Sequence, residues 1–591
     1  MKYKILQENL GRNLKDIVLQ NRELTSADAD FLVNPTNEYI ENPFKIKNMA
    51  EAIDLFVSEL DNESKIGIIP DVDVDGYTSS ALLYLFLINE CQVPKDKIQI
   101  FYHEGKMHGL DSKIFKEIKK SDIDFLIMAD AGSNDIHELK ELMKLGKRIL
   151  ILDHHTINDD EQKSIFQDQN GNTIGVIVNN QLDEYSNDQA GVGVVYKFLT
   201  AMTEDELVHY MDLVSIGNVA DSMLLNGYEM RYIIDKGLRN INNELVKEFM
   251  ADAKLEGKIT PMDVSFNIAN KINAVIRYGT QEEKINLFRA LIGEEEEIEY
   301  TPRKSKTNPN PITEIQTLQK AMVRISKSVK QKQDNAKKKC VEKCKQYVEE
   351  NNINDNKIII IIDKENEIID RKITGLVCMS LVDVYNKSVV VLSKSKEKYI
   401  GSMRGYGVNS LKEILEETEI IKCIGHHNAA GVEVEFKDIP RLEKRVNKVF
   451  EDVEIVPPCT LVDCEIDTRT LREKDMQEIC NMKPIWHSHC PSPLFLLKNV
   501  IVESKKVRNP YTTLLVFDLD GIEIKKEYCS KVFKEEFLKE KEVKFGKPTL
   551  ECDLIVKIEF DDYKRKPCLV IVEAESRVVE KKDNNNKNIP F

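Results

Sequence analysis

Short apolar runs alternate with longer stretches of helical periodicity through the first half of the chain. Ile66 to Ile69, Ile123 to Ala129 and Lys147 to Leu152 are such runs, and continuous apolar runs bounded by polar residues read as strands buried on both faces. Ala81 to Leu87 implies a helix after the first run, and Met211 to Ala220 reads as a buried helix ending near Asp221. Residues 1 to about 290 therefore predict an α/β domain with a parallel sheet.

The pattern then changes. An acidic run, Glu294 to Glu299, is followed by the polar, proline-containing stretch Arg303 to Pro311, as expected of an exposed connection. Ile312 to Glu350 has no Gly or Pro, and Leu318, Met322, Ile325 and Val329 recur at spacings of three and four, which predicts one long helix with a packed face. Its basic part, Lys327 to Lys345, reads at least as well as a solvated face as a nucleic-acid contact. A second α/β segment opens with Lys357 to Asp363, contains the strand Ser388 to Ser393 and runs to about Phe450. Beyond Pro457, strand-like stretches (Leu496 to Val502, Thr512 to Phe517, Leu554 to Phe560, Cys568 to Val572) and one helical piece, Ser530 to Lys539, suggest a small β-barrel. The polar tail 580–591 is expected to be disordered.

The candidate chemistry sits where the apolar runs end. Asp71, Asp73 and Asp75 follow the first run. Read as an extension of the strand, alternate positions put Asp71 and Asp73 on one face, with Asp75 at the turn, Gly76 allowing it, and Thr78 or Ser79 capping the next helix. Asp130 follows the second run, Asp153-His154-His155 the third, and Asp221 the buried helix. A single Asp after a strand is usually a turn former or a helix cap. Gathered carboxylates repel one another, so a divalent cation is their natural neutraliser, and oxygen ligands with imidazole suit Mn²⁺ or Mg²⁺ pairs better than structural zinc.

Composition narrows the picture. At 591 residues several domains are expected, and 42% hydrophobic content describes a globular protein. No apolar run approaches membrane-spanning length and Met1 to Asn9 lacks an apolar signal core, so a cytoplasmic location and no membrane partner are expected. The 12 cysteines show no CxxC pair, as in reduced proteins. His487, His489 and Cys490 lie too close together, with no second pair at finger spacing, to read as a zinc site. A net charge of −16 argues against coating duplex nucleic acid through bulk charge, though not against a local groove.

The order Asp71-x-Asp73-x-Asp75-Gly76, Asp130-Ala131-Gly132, Asp153-His154-His155, Ala220-Asp221 resembles the four motifs of the DHH phosphoesterase superfamily. Gly425-His426-His427-Asn428-Ala429-Ala430-Gly431 resembles the glycine-histidine segment of the accessory DHHA1 domain, and Gly401-Ser402-Met403-Arg404 the serine-arginine segment before it. Phe266-x-Ile268-x-x-x-Ile272-Asn273-Ala274-x-x-Arg277 resembles a segment typical of RecJ-type single-strand exonucleases. Asn270 and Ile276 depart from the usual Pro and Gly of that segment, and Ile424 from the first Gly of the later one.

The resemblance implies a DHH catalytic domain at 1–293, a linker and long connecting helix at 294–355, a DHHA1 substrate-binding domain at 356–456 and an OB-like nucleic-acid-binding barrel at 457–579. Tyr511, Phe517 and Lys505-Lys506-Val507-Arg508 are candidate single-strand contacts in that barrel. By resemblance, Asp71, Asp73, Asp75, Asp130, His154 and Asp221 form the shell of two Mn²⁺ or Mg²⁺ ions, with Asp130 bridging. Asp153 supports the site and His155 contacts substrate or assists proton transfer. Arg277, Arg404 and His426 bind phosphates, with Ser402, Asn273 and Asn428 orienting them or closing turns. The implied activity is 5′-to-3′ exonucleolytic hydrolysis of single-stranded DNA to mononucleotides. A phosphodiesterase for short oligonucleotides or cyclic dinucleotides and a non-catalytic replication scaffold are the alternatives. The chain is expected to be monomeric, and single-strand binding protein or a helicase is a partner by analogy alone.

Overall fold

The computed structural model describes residues 2–579 apart from 10, 106, 158–162, 183–188, 256, 258, 303–308, 488, 503–505, 508–514, 520–521, 527–548 and 562. Two compact units result, one of residues 39–458 and one that joins residues 1–38 to the chain from Cys459 onward.

The first sheet of the larger unit is built from β1 (Ile66–Pro70), β2 (Ile98–Ile100), β3 (Phe125–Ala129), β4 (Arg148–Asp153), β5 (Ile165–Gln167) and β6 (Thr173–Asn179), with helix α1 (Val74–Asn89) directly after β1. These six strands form one sheet in the order β2-β1-β3-β4-β6-β5, parallel at every pairing except the β5–β6 edge. The absence of polar alternation is explained by burial on both faces. Ile66 and Ile68 pack with Leu82, Leu83 and Phe86 of α1, while Ile69 and Leu126 pack with Ile114, Ile118 and Leu139 on the other side. From β1 the chain goes outward to β2 and then crosses back to β3, so the strand order reverses between β1 and β3. Open parallel sheets keep their sites outside the carboxyl ends of the strands at such a reversal. Helices α2 (Gly191–Thr203), α3 (Met211–Ala220) and α4 (Asn270–Tyr278) follow.

The long helix α5 spans Leu318–Glu350, about 50 Å at the α-helical rise. Its first half buries Leu318, Met322, Val323 and Val329 in the core beside α1, and its second half buries Cys340, Val341, Cys344 and Val348 against a second sheet. It begins later than the helical spacing suggests because Glu314–Thr317 pairs as a strand with Glu297–Tyr300, part of the run expected to be an exposed linker. The second sheet comprises β7 (Ile358–Asp363), β8 (Ser388–Lys394), β9 (Lys398–Arg404), β10 (Ile421–His426) and β11 (Ala429–Glu435). Its order is β7-β8-β9-β11-β10, with β7 and β8 parallel and the rest antiparallel. Helix α6 (Thr374–Tyr385) covers one face through Val377, Cys378 and Leu381.

In the smaller unit, seven strands run in the order Cys464–Glu465, Phe495–Val502, Thr549–Asp561, Lys566–Val579, Ile522–Lys526, Leu515–Leu519, Lys506–Val507. The N-terminal residues expected in the catalytic domain belong here instead. Tyr3–Ile5 pairs in parallel with Thr460–Val462, and Leu14, Ile17, Val18 and Leu32 bury among Phe495, Leu554 and Leu569. Arg22 fixes the arrangement by an ion pair to Asp463 at 2.6 Å. Tyr511, Lys505, Arg508, the helix expected at Ser530 to Lys539 and the tail 580–591 lie outside the described residues. Among the described residues, no helix is long and apolar enough to cross a membrane.

Candidate metal centre

β1 stops at Pro70, so Asp71 and Asp73 are not strand neighbours as the alternation suggests. Asp71 lies in the turn, Asp73 is the N-cap of α1 and accepts the Gly76 N–H at 3.2 Å, and Asp75 sits in the first helical turn. Thr78 and Ser79 are already inside the helix and do not cap it. The turn is tight enough that a Cβ on Gly76 would come within 2.6 Å of the Asp71 Cβ, so only glycine fits. Asp75 is almost wholly buried and accepts the N–H groups of Gly191 (2.6 Å) and Val192 (3.0 Å), the first two residues of α2. Free donors and dipole at a helix N-terminus favour a carboxylate there.

Asp130 follows β3 with φ +65°, in the left-handed region where Asp is tolerated better than most side chains. Its N–H donates to Leu152 O at 2.9 Å, which continues the parallel pairing one residue beyond the strand. α2 begins beside it, and a Cβ on Gly191 would lie 2.5 Å from the Asp130 Cβ.

Asp153, at the end of β4, folds the next turn around its own carboxylate. Its Oδ1 accepts the N–H groups of His154 (2.7 Å) and His155 (3.1 Å) and lies 2.8 Å from His155 Nδ1, and its Oδ2 accepts the Ser133 N–H at 3.0 Å. Burial pushes the Asp153 carboxyl up, but these partners outweigh it and hold the group well below the carboxylate range. The same carboxylate pushes His155 up to about 9 against the opposing effect of burial.

This turn aims His154 into the cluster. Its Nε2 lies 3.2 Å from Asp130 Oδ1, 3.6 Å from Asp221 Oδ2 and 3.9 Å from Asp75 Oδ2, with Asp221 at the C-terminal end of α3. Three triads of ligand atoms lie within 4.8 Å of one another: Asp130, His154 and His155; Asp75, His154 and Asp221; Asp71, Asp73 and Asp130. Asp130 and His154 each belong to two of them. Burial raises the pKa of both Asp75 and Asp130, and neighbouring carboxylates raise that of Asp130 further, well above the usual value. Asp130 Oδ1 is buried with no hydrogen-bond partner. Clustered oxygen ligands with one imidazole, mutual repulsion and an orphaned buried oxygen fit a site for hard divalent cations.

The expected phosphate binders are distributed over both sheets. Arg277, on α4, places Nη2 3.4 Å from Asp73 Oδ2. Arg404, at the end of β9, donates to Met403 O at 2.7 Å, and burial followed by the Arg277 charge lowers its pKa. Asn273 lies one turn from Arg277 on α4 with a buried Oδ1 that has no partner. Ser402 exchanges a 2.7 Å hydrogen bond with Thr374, and His426 is exposed at the end of β10. The Asn428 amide is engaged in the neighbouring loop. It accepts from Leu411 N and donates to Val408 O and Asn409 O, the turn-closing option for this residue.

Four residues at the centre escaped the sequence reading. His108 Nδ1 lies 2.5 Å from Asp71 Oδ2, and His103 lies 3.8 Å from the other Asp71 oxygen while its Nδ1 is 2.8 Å from Asp111. Asn179, at the end of β6, donates to Ser133 Oγ and His155 O, both at 2.9 Å, and Asn218 accepts the Ala190 N–H at 2.9 Å where α2 begins. Asn179 ends a strand next to β4, a position the strand pattern could have flagged. The histidines lie in a loop with no periodic signal. In the smaller unit, Tyr563 is 91% exposed at a hairpin turn beside Lys564, Arg565 and Lys566.

The profile of the DHH family, N-terminal domain, matches residues 65–218, the segment from β1 into α3. YorK of Bacillus subtilis (strain 168), named provisionally as an SPbeta prophage-derived single-strand DNA-specific exonuclease, is 30% identical over 527 residues, 86% of this chain and 87% of YorK. This chain belongs to the RecJ-type branch of the DHH family. RecJ of the same bacterium, a single-stranded-DNA-specific exonuclease, is 26% identical over 499 residues, 81% of this chain and 56% of that protein. The RecJ-type fold extends over nearly the whole chain. The crystal structure of RecJ in complex with Mn²⁺ from Thermus thermophilus superposes with a TM-score of 0.69 at 18% identity, covering 97% of this chain and 79% of that one. The Mg²⁺ complex gives 0.65 at 16% identity, covering 97% and 78%.

Proposed function

We propose that this chain is a divalent-metal-dependent exonuclease that hydrolyses single-stranded DNA from its 5′ end and releases mononucleotides. The observation that carries the reading is the convergence of Asp71, Asp73, Asp75, Asp130, His154 and Asp221 at the sheet's reversal point, where the triads Asp71-Asp73-Asp130 and Asp75-His154-Asp221 meet at the 3.2 Å approach of His154 to Asp130. Those six residues would hold two Mn²⁺ or Mg²⁺ ions, which supply charge neutralisation and Lewis-acid polarisation of the phosphodiester. The relatives named as single-strand-specific exonucleases, and the Mn²⁺ and Mg²⁺ bound by the Thermus RecJ structures, support the same substrate and metals.

The roles of the chain's own residues follow from their placement. Asp153 holds the Asp-His-His turn, and His155, its Nδ1 2.8 Å from Asp153 Oδ1 and its side chain about half exposed, would donate a hydrogen bond or proton to a phosphate oxygen or leaving group. Arg277 and Arg404, whose charges oppose each other, gain from an anion between them and would hold the terminal and scissile phosphates. His426 lies exposed for a further phosphate, and Asn273 and Ser402 would orient the strand while Asn428 shapes its loop. The smaller unit, read as an OB-like platform, would retain long strands, with Tyr563 and its cationic neighbours as candidate contacts. A single-strand binding protein or a helicase, either of which presents exposed strand, is the partner this reading implies.

The test is Mn²⁺-dependent digestion of a single strand labelled at one end or the other. Immediate release of labelled mononucleotide from the 5′ label, with progressive shortening from the 3′ label, is expected. Cleavage of dinucleotides with no attack on long strands would replace this reading by the small-substrate phosphodiesterase, and inertness on both by the scaffold.

A further inference from the structure

The segment before α4 is a π-helical turn, Val264–Ala269. Such turns are rare and often mark functional sites. Val264, Ile268 and Ala269 are buried and Ser265 and Asn267 half-buried, yet Phe266 between them is 63% exposed. Asn270 reinforces the arrangement, because its Nδ2 donates to Phe266 O at 2.7 Å and satisfies a carbonyl at the widened turn. Met262, four residues earlier, is also 44% exposed.

Phe266, Asn270, Asn273 and Arg277 are spaced by four, three and four residues, which places them on one helical face. The face extends about 16 Å. Its far end is Arg277, 3.4 Å from Asp73 in the metal-ligand cluster. Between the two ends lie Asn270 and Asn273, half-buried residues whose amide oxygens are buried without a hydrogen-bond partner. An exposed aromatic ring and an arginine at the reaction centre thus lie at the two ends of one helical face, with two half-buried asparagines between them.

We propose that this face is the lane along which a single strand lies beside the metal cluster, with Phe266 as a base-stacking platform for a nucleotide removed from the scissile phosphate. The proposal rests on the nuclease reading and extends it to a contact with the bases. A nucleic-acid strand is the occupant favoured because the face is continuous with the phosphate-binding Arg277, and stacking on a ring tolerates any base, as an exonuclease that advances along a sequence requires.

The experiment pairs binding with turnover in the full chain. Phe266→Ala and Phe266→Trp are compared with wild type by anisotropy of a labelled single strand in chelator, and by Mn²⁺-dependent digestion of the strand and of a dinucleotide. Phe266→Ala should bind the strand about tenfold more weakly. Its KM should rise in proportion, with kcat and dinucleotide cleavage unchanged, and Phe266→Trp should restore binding. Wild-type affinity in Phe266→Ala, or Trp no better than Ala, overturns the lane and leaves the nuclease reading standing. Binding that depends on Phe266 without cleavage by wild type supports the lane and overturns the exonuclease. A wild-type chain that neither binds nor digests the strand overturns both.

Discussion

His154 Nε2 lies 3.2 Å from Asp130 Oδ1, a buried oxygen with no hydrogen-bond partner. Asp130 is also surrounded by the charges of Asp75, Asp73 and Asp71, which together with burial raise its pKa. Electrostatics therefore opposes this centre until a cation enters. Mn²⁺ at a hundredfold its dissociation constant should stabilise the protein by about 2.7 kcal/mol through linkage. Asp130→Asn should raise the melting temperature of the metal-free protein and lose most of the Mn²⁺-induced shift, both readable by scanning calorimetry.

Asn179 donates to Ser133 Oγ and to His155 O, tying the turn after β3 to the turn after β4. Asn179→Ala removes both hydrogen bonds at once, so a loss of about 1–3 kcal/mol in urea unfolding is expected. Metal affinity should fall about tenfold or more, since outer partners of ligating side chains orient them. A Mn²⁺ titration checks the second effect separately from the first.

His108 contacts Asp71 through a ring whose side chain is 56% exposed. His108→Ala should leave the unfolding midpoint nearly unchanged, as exposed side chains contribute little to packing, while weakening Mn²⁺ binding about tenfold. His103→Ala behaves differently because that ring is buried beside Asp111 and Asp71. It should lose both stability and metal affinity.

Gly191→Ala tests how closely α2 must approach the centre. The added methyl would sit 2.5 Å from the Asp130 Cβ, and either α2 or the turn after β3 must move. A destabilisation of about 1–3 kcal/mol is expected from overpacking. Activity should fall far more than stability, because Asp75 is held by the N–H groups of Gly191 and Val192.

Asp71, Asp130, Asp153, His154 and His155 were legible in the sequence because they follow apolar strand runs, and in a parallel sheet such runs end on the same edge, while Asp221 was marked by the buried helix before it. What joins Asp71 to Asp73 was misread, since strand periodicity does not say where a strand stops. Pro70 ends β1, and the helix claims Asp73 as its cap. The four helpers His103, His108, Asn179 and Asn218 act through tertiary contacts between segments distant in sequence, for which no local spacing exists. The placement of residues 1–38 with the C-terminal strands was hidden for a similar reason. Leu14, Ile17 and Val18 mark a buried helical face, and an apolar face does not name the core it joins.

In the proposed function the Asp130–His154 cluster is the metal-dependent cutting centre. The most direct test is Mn²⁺-dependent mononucleotide release from a single strand by wild type, Asp130→Ala and His154→Ala, each first shown to be folded by calorimetry. Wild type should release mononucleotide until chelation stops it, and each variant should lose at least about a hundredfold in rate, about 3 kcal/mol of transition-state stabilisation, if the cluster is the cutting centre. Release at the wild-type rate by either folded variant would contradict it.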